Sequence, residues 1–565
     1  MKLIECVPNF SEGRNKSKID EIIASIKESS QTTILDVDMG FDTNRTVITI
    51  IGSPSEVLNG VFNGIKKASK IIDMRKHAGT HPRIGSTDVC PLIPIKSVSV
   101  EECIKLSLKL GKRIGDELGI PVYLYEKSSN LPFRKKLPDI RLGEYEGLEK
   151  KLSSKEWIPD FGPSKMNHFN GATIVGCRDF LIAYNINLNT RNPRIATDIA
   201  FELREIGRSK RVPNPLSKNL LDGEIVRDEF GKAVKVPGRF KDVKGIGWFV
   251  TEFDQAQISI NLNNYKASTI HEVYDEANKL ANERGLIVTG SEVVGLIPLD
   301  ALIMAGKYYL QKQQRSTGLP EADIIETAVQ SLGLNNVVKF NKNEKIIEYA
   351  IKKQKRNLIS MKSIDFINEL SRNSPAPGGG TVSAFAGALS ASLASMVSAL
   401  SYDKKELIKN RNLYNEFGER SQLLKEKLSR LIDEDTNAFN AVIDANRLPS
   451  STKKEALYKK DQILMANKNA LEIPLKTANL SLKILELSSE LMKVCNPNSL
   501  SDLGVASELA VASVRGAYMN VLINTLSIED KIYCDTRLKR ADSVVQNAEK
   551  ISVIIFKKVV SSIKS

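Results

Sequence analysis

Two of the four histidines of this 565-residue chain, His77 and His81, lie with Arg83 and Asp88 in one stretch, His77-Ala78-Gly79-Thr80-His81-Pro82-Arg83-Ile84-Gly85-Ser86-Thr87-Asp88. Gly79, Pro82 and Gly85 exclude a regular helix there, so the stretch reads as a loop. Imidazole is the side chain whose proton affinity starts near neutrality. It can take a proton from one group and return it to another, the work of a general acid–base catalyst. His81 is the better placed of the two: Pro82 stiffens the chain after it, and the loop runs into the apolar strand Val89–Ile95. A histidine base needs a partner to set its tautomer. Asp36 and Asp38 alternate onto one face of Leu35-Asp36-Val37-Asp38-Met39-Gly40, so the spacing leaves both open. Arg45 and Arg83 are available to clamp a carboxylate or to stabilise developing charge. The His77/His81 spacing is that of a helical metal pair. The loop forbids that helix and no third ligand is near, so no metal is expected.

A second carboxylate stands out by its position. At 100° per residue, Leu424, Leu428, Leu431, Ile432, Ala438, Phe439 and Val442 fall within about 60° of one direction. Asp435 lies in the middle of that apolar face, Asp433 almost opposite it, and Glu434 to the side. Desolvation raises the proton affinity of such a carboxyl, which suits a general acid or base. Upstream, Ser374-Pro375-Ala376-Pro377-Gly378-Gly379-Gly380-Thr381 opens an apolar helix. Amides exposed at a glycine-rich helix start suit an anionic or carbonyl-like group. Asn520 and Asn524, four apart, share one helix face. They serve either a ligand or core closure.

Positioning these groups requires two kinds of architecture. The first part alternates strand and helix: strands at Leu3–Pro8, Thr33–Asp38, Thr46–Gly52 and Val89–Ile95, helices at Lys16–Lys27 and Ser55–Asp73. That is the βαββαβ order of a ferredoxin-like unit. A helix (Val100–Leu118) and a strand (Pro121–Tyr125) follow. The order returns in Phe180–Leu188, Asn192–Ile206, Gly247–Glu252, Gln257–Leu262, Ser268–Glu283 and Leu286–Val294, with a polar insert at Pro213–Lys241. The chain therefore reads as an α+β N-terminal half of two related subdomains, 1–180 and 181–351, with a small-molecule cleft expected between them. A basic connector, 352–361, leads to an all-α helical-bundle domain, 362–565. Gly378–Tyr402 carries no charge and is long enough to span a bilayer. Its alanine, serine and glycine content predicts a buried, closely packed helix in a bundle or between copies.

A hydrophobic content of 42% with 26% charged residues is that of a soluble globular protein. Six cysteines, at 6, 90, 103, 177, 495 and 534, form no metal-type spacing and fit a reducing cytosol. The start of the chain, Met1 to Cys6, is too polar for a secretory leader. The net charge of +14 is spread along the chain without an arginine stripe or aromatic interleaving. Nucleic-acid binding is therefore not expected. A lysine-rich compositional bias is the first reading of the charge, and attraction of carboxylate-rich substrates is the alternative.

The wording of these segments is similar to a known family. Val7-Pro8-Asn9-Phe10-Ser11-Glu12-Gly13, Thr43-Asn44-Arg45-Thr46 and the His77–Asp88 stretch resemble the transferase half of the formimidoyltransferase-cyclodeaminases. The Pro-Ala-Pro-Gly-Gly-Gly motif, Ser501-Asp502-Leu503 and Asn520-Val521-Leu522-Ile523-Asn524 resemble the cyclodeaminase half. The resemblance implies a multifunctional, folate-binding transferase and lyase of histidine degradation and one-carbon metabolism. It would move the formimino group of N-formimidoyl-L-glutamate to tetrahydrofolate, then close 5-formimidoyltetrahydrofolate to 5,10-methenyltetrahydrofolate with loss of ammonia. By the same resemblance His81 and Asp435 are the catalytic residues and Asp38 supports His81. Gly162-Pro163-Ser164-Lys165-Met166-Asn167-His168-Phe169-Asn170-Gly171 is the folate segment, and Gly290 to Gly295 lies on the substrate side. There Glu292 departs from the glutamine of animal members. Gly378, Gly379, Gly380, Asp502, Asn520 and Asn524 belong to the cyclodeaminase pocket. Tetrahydrofolate enters as co-substrate, folates including polyglutamylated ones are the partners, and a cytosolic homo-oligomer without metal or membrane span is implied. The neighbouring alternative takes the formyl group of formylglutamate, making 5-formyltetrahydrofolate, with the helical half structural or a methenyltetrahydrofolate cyclohydrolase.

Overall fold

The computed structural model describes residues 2–28, 32–41, 43–79, 81–217, 220–350 and 357–564. Packing divides the chain into two compact units, Met1–Ala305 with Leu332–Lys353, and Gly306–Ser331 with Gln354–Ser565. The segment Gly306–Ser331, which lies inside the stretch 181–351, thus packs with the helical unit.

The first unit holds two sheets of one design. In the first, β1 (Leu3–Cys6) runs on into β2 (Asn9–Phe10), followed by α1 (Lys16–Glu28), β3 (Thr33–Gly40), β4 (Arg45–Gly52), α2 (Pro54–Ile71) and β5 (Thr87–Lys96). The β1–β2 strand lies antiparallel between β4 and β5, and β3 covers the outer edge of β4. This is the expected βαββαβ order. It is extended by α3 (Val100–Leu118), β6 (Val122–Glu126) and β7 (Thr173–Cys177), with β7 parallel to both β5 and β6. Alternation along β4 decides the faces. Ile48 and Ile50 are fully buried in the core with the helices, while Arg45, Val47 and Thr49 lie half-buried on the other face. The helix α2 starts in a capping box of Ser53 and Glu56 with Pro54 in its first turn, and α3 starts in one of Ser99 and Glu102.

The second sheet repeats the order with β8 (Ile182–Leu188), α4 (Pro193–Leu203), β9 (Val243–Val250), β10 (Gln255–Leu262), α5 (Ile270–Glu283) and β11 (Val288–Val294), paired β9-β10-β8-β11. Strand β9 starts four residues before the sequence reading places it, because Val243 pairs with Leu262 at the far end of β10. The polar insert forms two short antiparallel pairings, Arg208–Ser209 with Lys235–Val236 and Arg211–Val212 with Glu224–Ile225.

The second unit is built from α8 (Gly379–Tyr402), α9 (Arg411–Asn446), α10 (Lys453–Leu491), α11 (Leu500–Thr525) and α12 (Lys531–Lys564), preceded by the turn between α6 (Leu299–Lys312) and α7 (Glu321–Ser331). That turn lays Gly318 on Gly418 of α9, and its Gly318 carbonyl accepts from Ser395 Oγ at 3.1 Å. Among the described residues α8 alone is long and apolar enough to cross a bilayer, yet 56% of its most apolar window is buried in this unit. Its small residues admit close neighbours: Ser513 Oγ of α11 donates to the Ser383 carbonyl at 2.6 Å and Ser390 Oγ to Ala506 O at 2.6 Å. Residues 352–356 of the expected connector lie outside the described residues. Just after them, the turn Leu358–Ser360 gives its first amide to Asp433 Oδ1 at 2.6 Å.

Candidate active sites

The His77–Asp88 loop is irregular, as its glycines and proline require, and tight contacts hold it. A Cβ on Gly79 would come within 2.3 Å of the Thr43 carbonyl, so only glycine fits this approach to the β3–β4 turn. His77 is a structural member: Nε2 donates to the Asn44 carbonyl at 2.8 Å and Nδ1 accepts from Arg83 Nε at 3.1 Å. His81 is half-exposed. Its Nδ1 donates to the Pro82 carbonyl at 2.7 Å, which leaves the Nε2 lone pair to accept from Arg45 Nη1 at 2.5 Å. Burial lowers the proton affinity of the ring, and the Arg45 and Arg141 charges lower it further. This is a neutral imidazole with a defined tautomer and its basic nitrogen at Nε2.

Two expectations for this site need correction. Asp38 is exposed on the outer strand β3, and no hydrogen bond joins it to His81; its charge acts on Arg45 instead. The tautomer is set by the Pro82 carbonyl. Arg83 is not a free clamp either. It is 7% exposed and donates to Glu144 Oε2 at 2.9 Å and to Glu146 Oε1 at 2.6 Å. Asp88 and Arg141 are residues that the sequence reading did not assign. Asp88 is fully buried, accepts the Ile84 amide at 3.0 Å and is ion-paired to Arg141.

The segment 162–171 reaches the same loop through its second half. Gly171 bridges to Gly85, the Asn170 carbonyl accepts the Ser86 amide at 2.8 Å, and Phe169 lies under the Arg75 guanidinium at 5.4 Å. Its first half, Gly162 to Lys165, is exposed, with Gly162 packed on Gly115 and Ile120. Glu292 lies on the second sheet, on the face away from Tyr184 and Ile186. There Oε1 accepts from Asn185 Nδ2 and Gln257 Nε2, both at 3.1 Å, and Gln257 is oriented in turn by Trp248 Nε1 at 2.9 Å.

In the helical unit Leu424, Leu428, Leu431, Ile432 and Ala438 are buried as the periodicity predicts, whereas Phe439 is 39% exposed. Asp435 reaches across to the start of α8. Its Oδ2 accepts from Thr381 Oγ1 at 2.9 Å, and Gly380 packs directly on the carboxylate. Burial raises the proton affinity of Asp435, while the Thr381 hydroxyl and backbone bonds oppose the rise. Gly379 lies beside Asn520 Nδ2, which also donates to the Gly516 carbonyl at 2.8 Å. Asn524 turns to α10 and donates to Ala470 O at 2.8 Å. Asp502 does not belong to this pocket. Since Ser390 meets Ala506 and Gly379 meets Asn520, α8 and α11 run antiparallel, and Asp502 falls near residue 394, about 20 Å along α8 from Gly380.

Comparison with known proteins matches both halves. The formiminotransferase domain, N-terminal subdomain, matches residues 3–178, the formiminotransferase domain matches 183–352, and the formiminotransferase-cyclodeaminase family matches 362–543. The chain is 40% identical to formimidoyltransferase-cyclodeaminase of Dictyostelium discoideum over 97% of each chain. It is 39% identical to that of Rattus norvegicus over 98% of each. Over 58% of its length it is 40% identical to glutamate formimidoyltransferase of Thermoplasma acidophilum, covering 98% of that protein. Matched in both halves and nearly end to end, the chain belongs to the formimidoyltransferase-cyclodeaminase family.

Proposed function

We propose that the first unit transfers the formimino group of N-formimidoyl-L-glutamate to N5 of tetrahydrofolate, and that the second unit then closes the ring. In the first step N5 attacks the formimino carbon, His81 Nε2 takes the N5 proton, and the same proton passes to the glutamate nitrogen as its bond to carbon breaks. The observation that carries this reading is the hydrogen bonding of His81: Nδ1 lies on the Pro82 carbonyl at 2.7 Å and Nε2 on Arg45 Nη1 at 2.5 Å, a bond that Arg45 leaves for the substrate as Nε2 takes the proton. Arg45, half-buried beside it, stabilises charge that develops on the one-carbon unit. In the second step N10 attacks the same carbon, Asp435 manages the proton, and ammonia leaves, giving 5,10-methenyltetrahydrofolate. Both steps consist of positioning and proton transfer by side chains of this chain.

Three further parts of the reading have their own support. A cavity of about 380 Å³ between α9, α10 and α12 is lined by four cations, Lys427, Arg430, Lys476 and Arg540, against two carboxylates, Glu434 and Glu472, an excess of positive charge that suits polyglutamylated folate. Val382, Leu389, Met396 and Leu400 leave one side of α8 exposed and apolar, which suits a second copy. Six free cysteines suit the cytosol.

The test is a spectroscopic assay for methenyltetrahydrofolate with tetrahydrofolate and formimidoylglutamate. The intact chain forms product, Asp435→Asn stops at the 5-formimidoyl compound, and His81→Ala makes neither. Consumption of formylglutamate with no turnover of formimidoylglutamate overturns the donor assignment.

A further inference from the structure

His77 is a titratable side chain of the His81 loop that the transfer step does not use, and each of its ring nitrogens has a partner. Nδ1 accepts from Arg83 Nε at 3.1 Å; a guanidinium only donates, so the ring proton lies on Nε2. Nε2 donates to the Asn44 carbonyl at 2.8 Å. Arg83 is held in turn by Glu144 and Glu146, and its Nη2 donates to the His77 carbonyl at 3.3 Å. The ring therefore has a fixed tautomer and a fixed direction.

The carbonyl that His77 holds belongs to the peptide unit whose nitrogen is that of Arg45, the first residue of β4. Asn44 is 8% exposed and lies in the left-handed region, with φ 48°, at the turn from β3. Its Nδ2 donates to the Ala78 carbonyl at 3.0 Å. Two bonds, one in each direction, thus tie residues 77 and 78 of the loop to the peptide that starts β4. From that peptide the Arg45 side chain reaches back to the loop and sets Nη1 on His81 Nε2 at 2.5 Å.

We propose that His77 is a positioning residue of the transfer step: by holding the Asn44–Arg45 peptide unit to the loop that carries His81, it keeps the Arg45 guanidinium in register with His81 and with the charge that develops on the one-carbon unit. The proposal rests on the reading of His81 as the base. Arginine has a long side chain, so a small tilt of the peptide at its base becomes a larger displacement at the guanidinium, and its stabilisation of the transition state depends on that position.

The experiment combines transfer kinetics with a histidine Cε1–H NMR titration of the full chain, the His81 resonance being identified by its loss in His81→Gln. His77→Leu lacks both ring nitrogens. Its transferase kcat falls about tenfold with KM for formimidoylglutamate unchanged. Its His81 midpoint moves to higher pH as the Arg45 charge withdraws, while Arg141 and Asp88, which also act on that ring, are unaltered. His77→Gln, which keeps an N–H donor for the Asn44 carbonyl, restores kcat to within about twofold. In an Arg45→Met background His77→Leu lowers kcat by less than about twofold more and leaves the His81 midpoint in place. Folding is read from the two tryptophans, both in the first unit. If His77→Leu does not fold, His77→Asn, whose amide is too short to reach that carbonyl, replaces it. Losses that multiply in the double variant overturn the proposal, as do a kcat that His77→Gln leaves low and an unmoved His81 midpoint. If the midpoints behave as stated but the parent chain transfers no formimino group, the positioning of Arg45 by His77 stands and the reading of the reaction fails.

Discussion

Gly380 sits so close to Asp435 that a Cβ on the glycine would lie 2.2 Å from Oδ1 of the carboxylate. The glycine-rich start of α8 therefore serves the carboxylate directly, by letting backbone and carboxylate touch. Gly380→Ala must push Asp435 aside. We expect its cyclodeaminase rate to fall by about 100-fold, the effect of a displacement of roughly 1 Å at a reacting group. The formimidoyl transfer step, measured separately on the same chain, keeps its rate.

Burial raises the proton affinity of the same carboxylate, and Thr381 opposes the rise. Its hydroxyl donates to Oδ2 and so favours the charged form, against the burial that disfavours it. Thr381→Val removes the hydroxyl's share of that opposition and keeps the backbone N–H, so Asp435 ionises at a still higher pH. The low-pH arm of the cyclodeaminase pH–rate profile moves to higher pH, while that of the transferase stays in place. A profile that does not move means that Asp435 ionisation does not limit the step.

Pro474 lies inside α10 and has no N–H for the carbonyl four residues before it, which is Ala470. Asn524 supplies the missing donor at 2.8 Å. Asn524→Ala leaves that carbonyl unpaired and costs about 1–3 kcal/mol. Pro474→Ala restores a helical donor, so the Asn524→Ala loss shrinks in the double variant. Urea unfolding followed by far-UV circular dichroism measures this coupling. Strict additivity would show that Asn524 acts elsewhere.

Glu5 is 3% exposed on β1, and burial pushes its pKa from 4.5 up to about 7, with the Arg178 charge opposing. Its folded pKa is raised, so the native state holds a proton that the unfolded chain has lost between pH 4.5 and 7. Stability of the first unit falls as pH rises through that window, by about 3 kcal/mol at most. Glu5→Gln cannot ionise and is expected to be the more stable chain at pH 8, with the gap closing toward pH 5. Both tryptophans, Trp157 and Trp248, lie in the first unit. Their fluorescence during urea unfolding therefore reads this unit alone. A gap independent of pH would mean that Glu5 is ionised at pH 5.

The settings of His81 and Asp435, an irregular loop and an apolar helix face, were legible because their signals are local. Breakers at 79, 82 and 85 mark a loop around one histidine, and a 100° periodicity puts one aspartate on an apolar helix face. Asp38 was assigned to His81 by a matching motif, since alternation left it and Asp36 open. Alternation assigns a side chain to a face of a strand, but does not say that β3 is the outer strand, where the carboxylate is exposed. Asp502 was drawn to the wrong pocket because a matching motif carries no information on which end of an antiparallel helix pair it occupies.

The sequence by itself determined the division into an α+β half and a helical half, the repeated βαββαβ order, the irregular loop around His81 and the apolar helix face that holds Asp435. These follow from the positions of apolar residues and of glycine and proline, which act over a few residues. Only the tertiary structure decided the partners: Arg83 with Glu144 and Glu146, Asp88 with Arg141, Asp435 with Gly380 and Thr381, and Asn524 with the carbonyl that Pro474 leaves open. Each joins residues more than fifty positions apart. An ion pair or buried hydrogen bond forms where strand order and helix packing bring two polar groups out of water together, and short-range periodicity does not encode that distance.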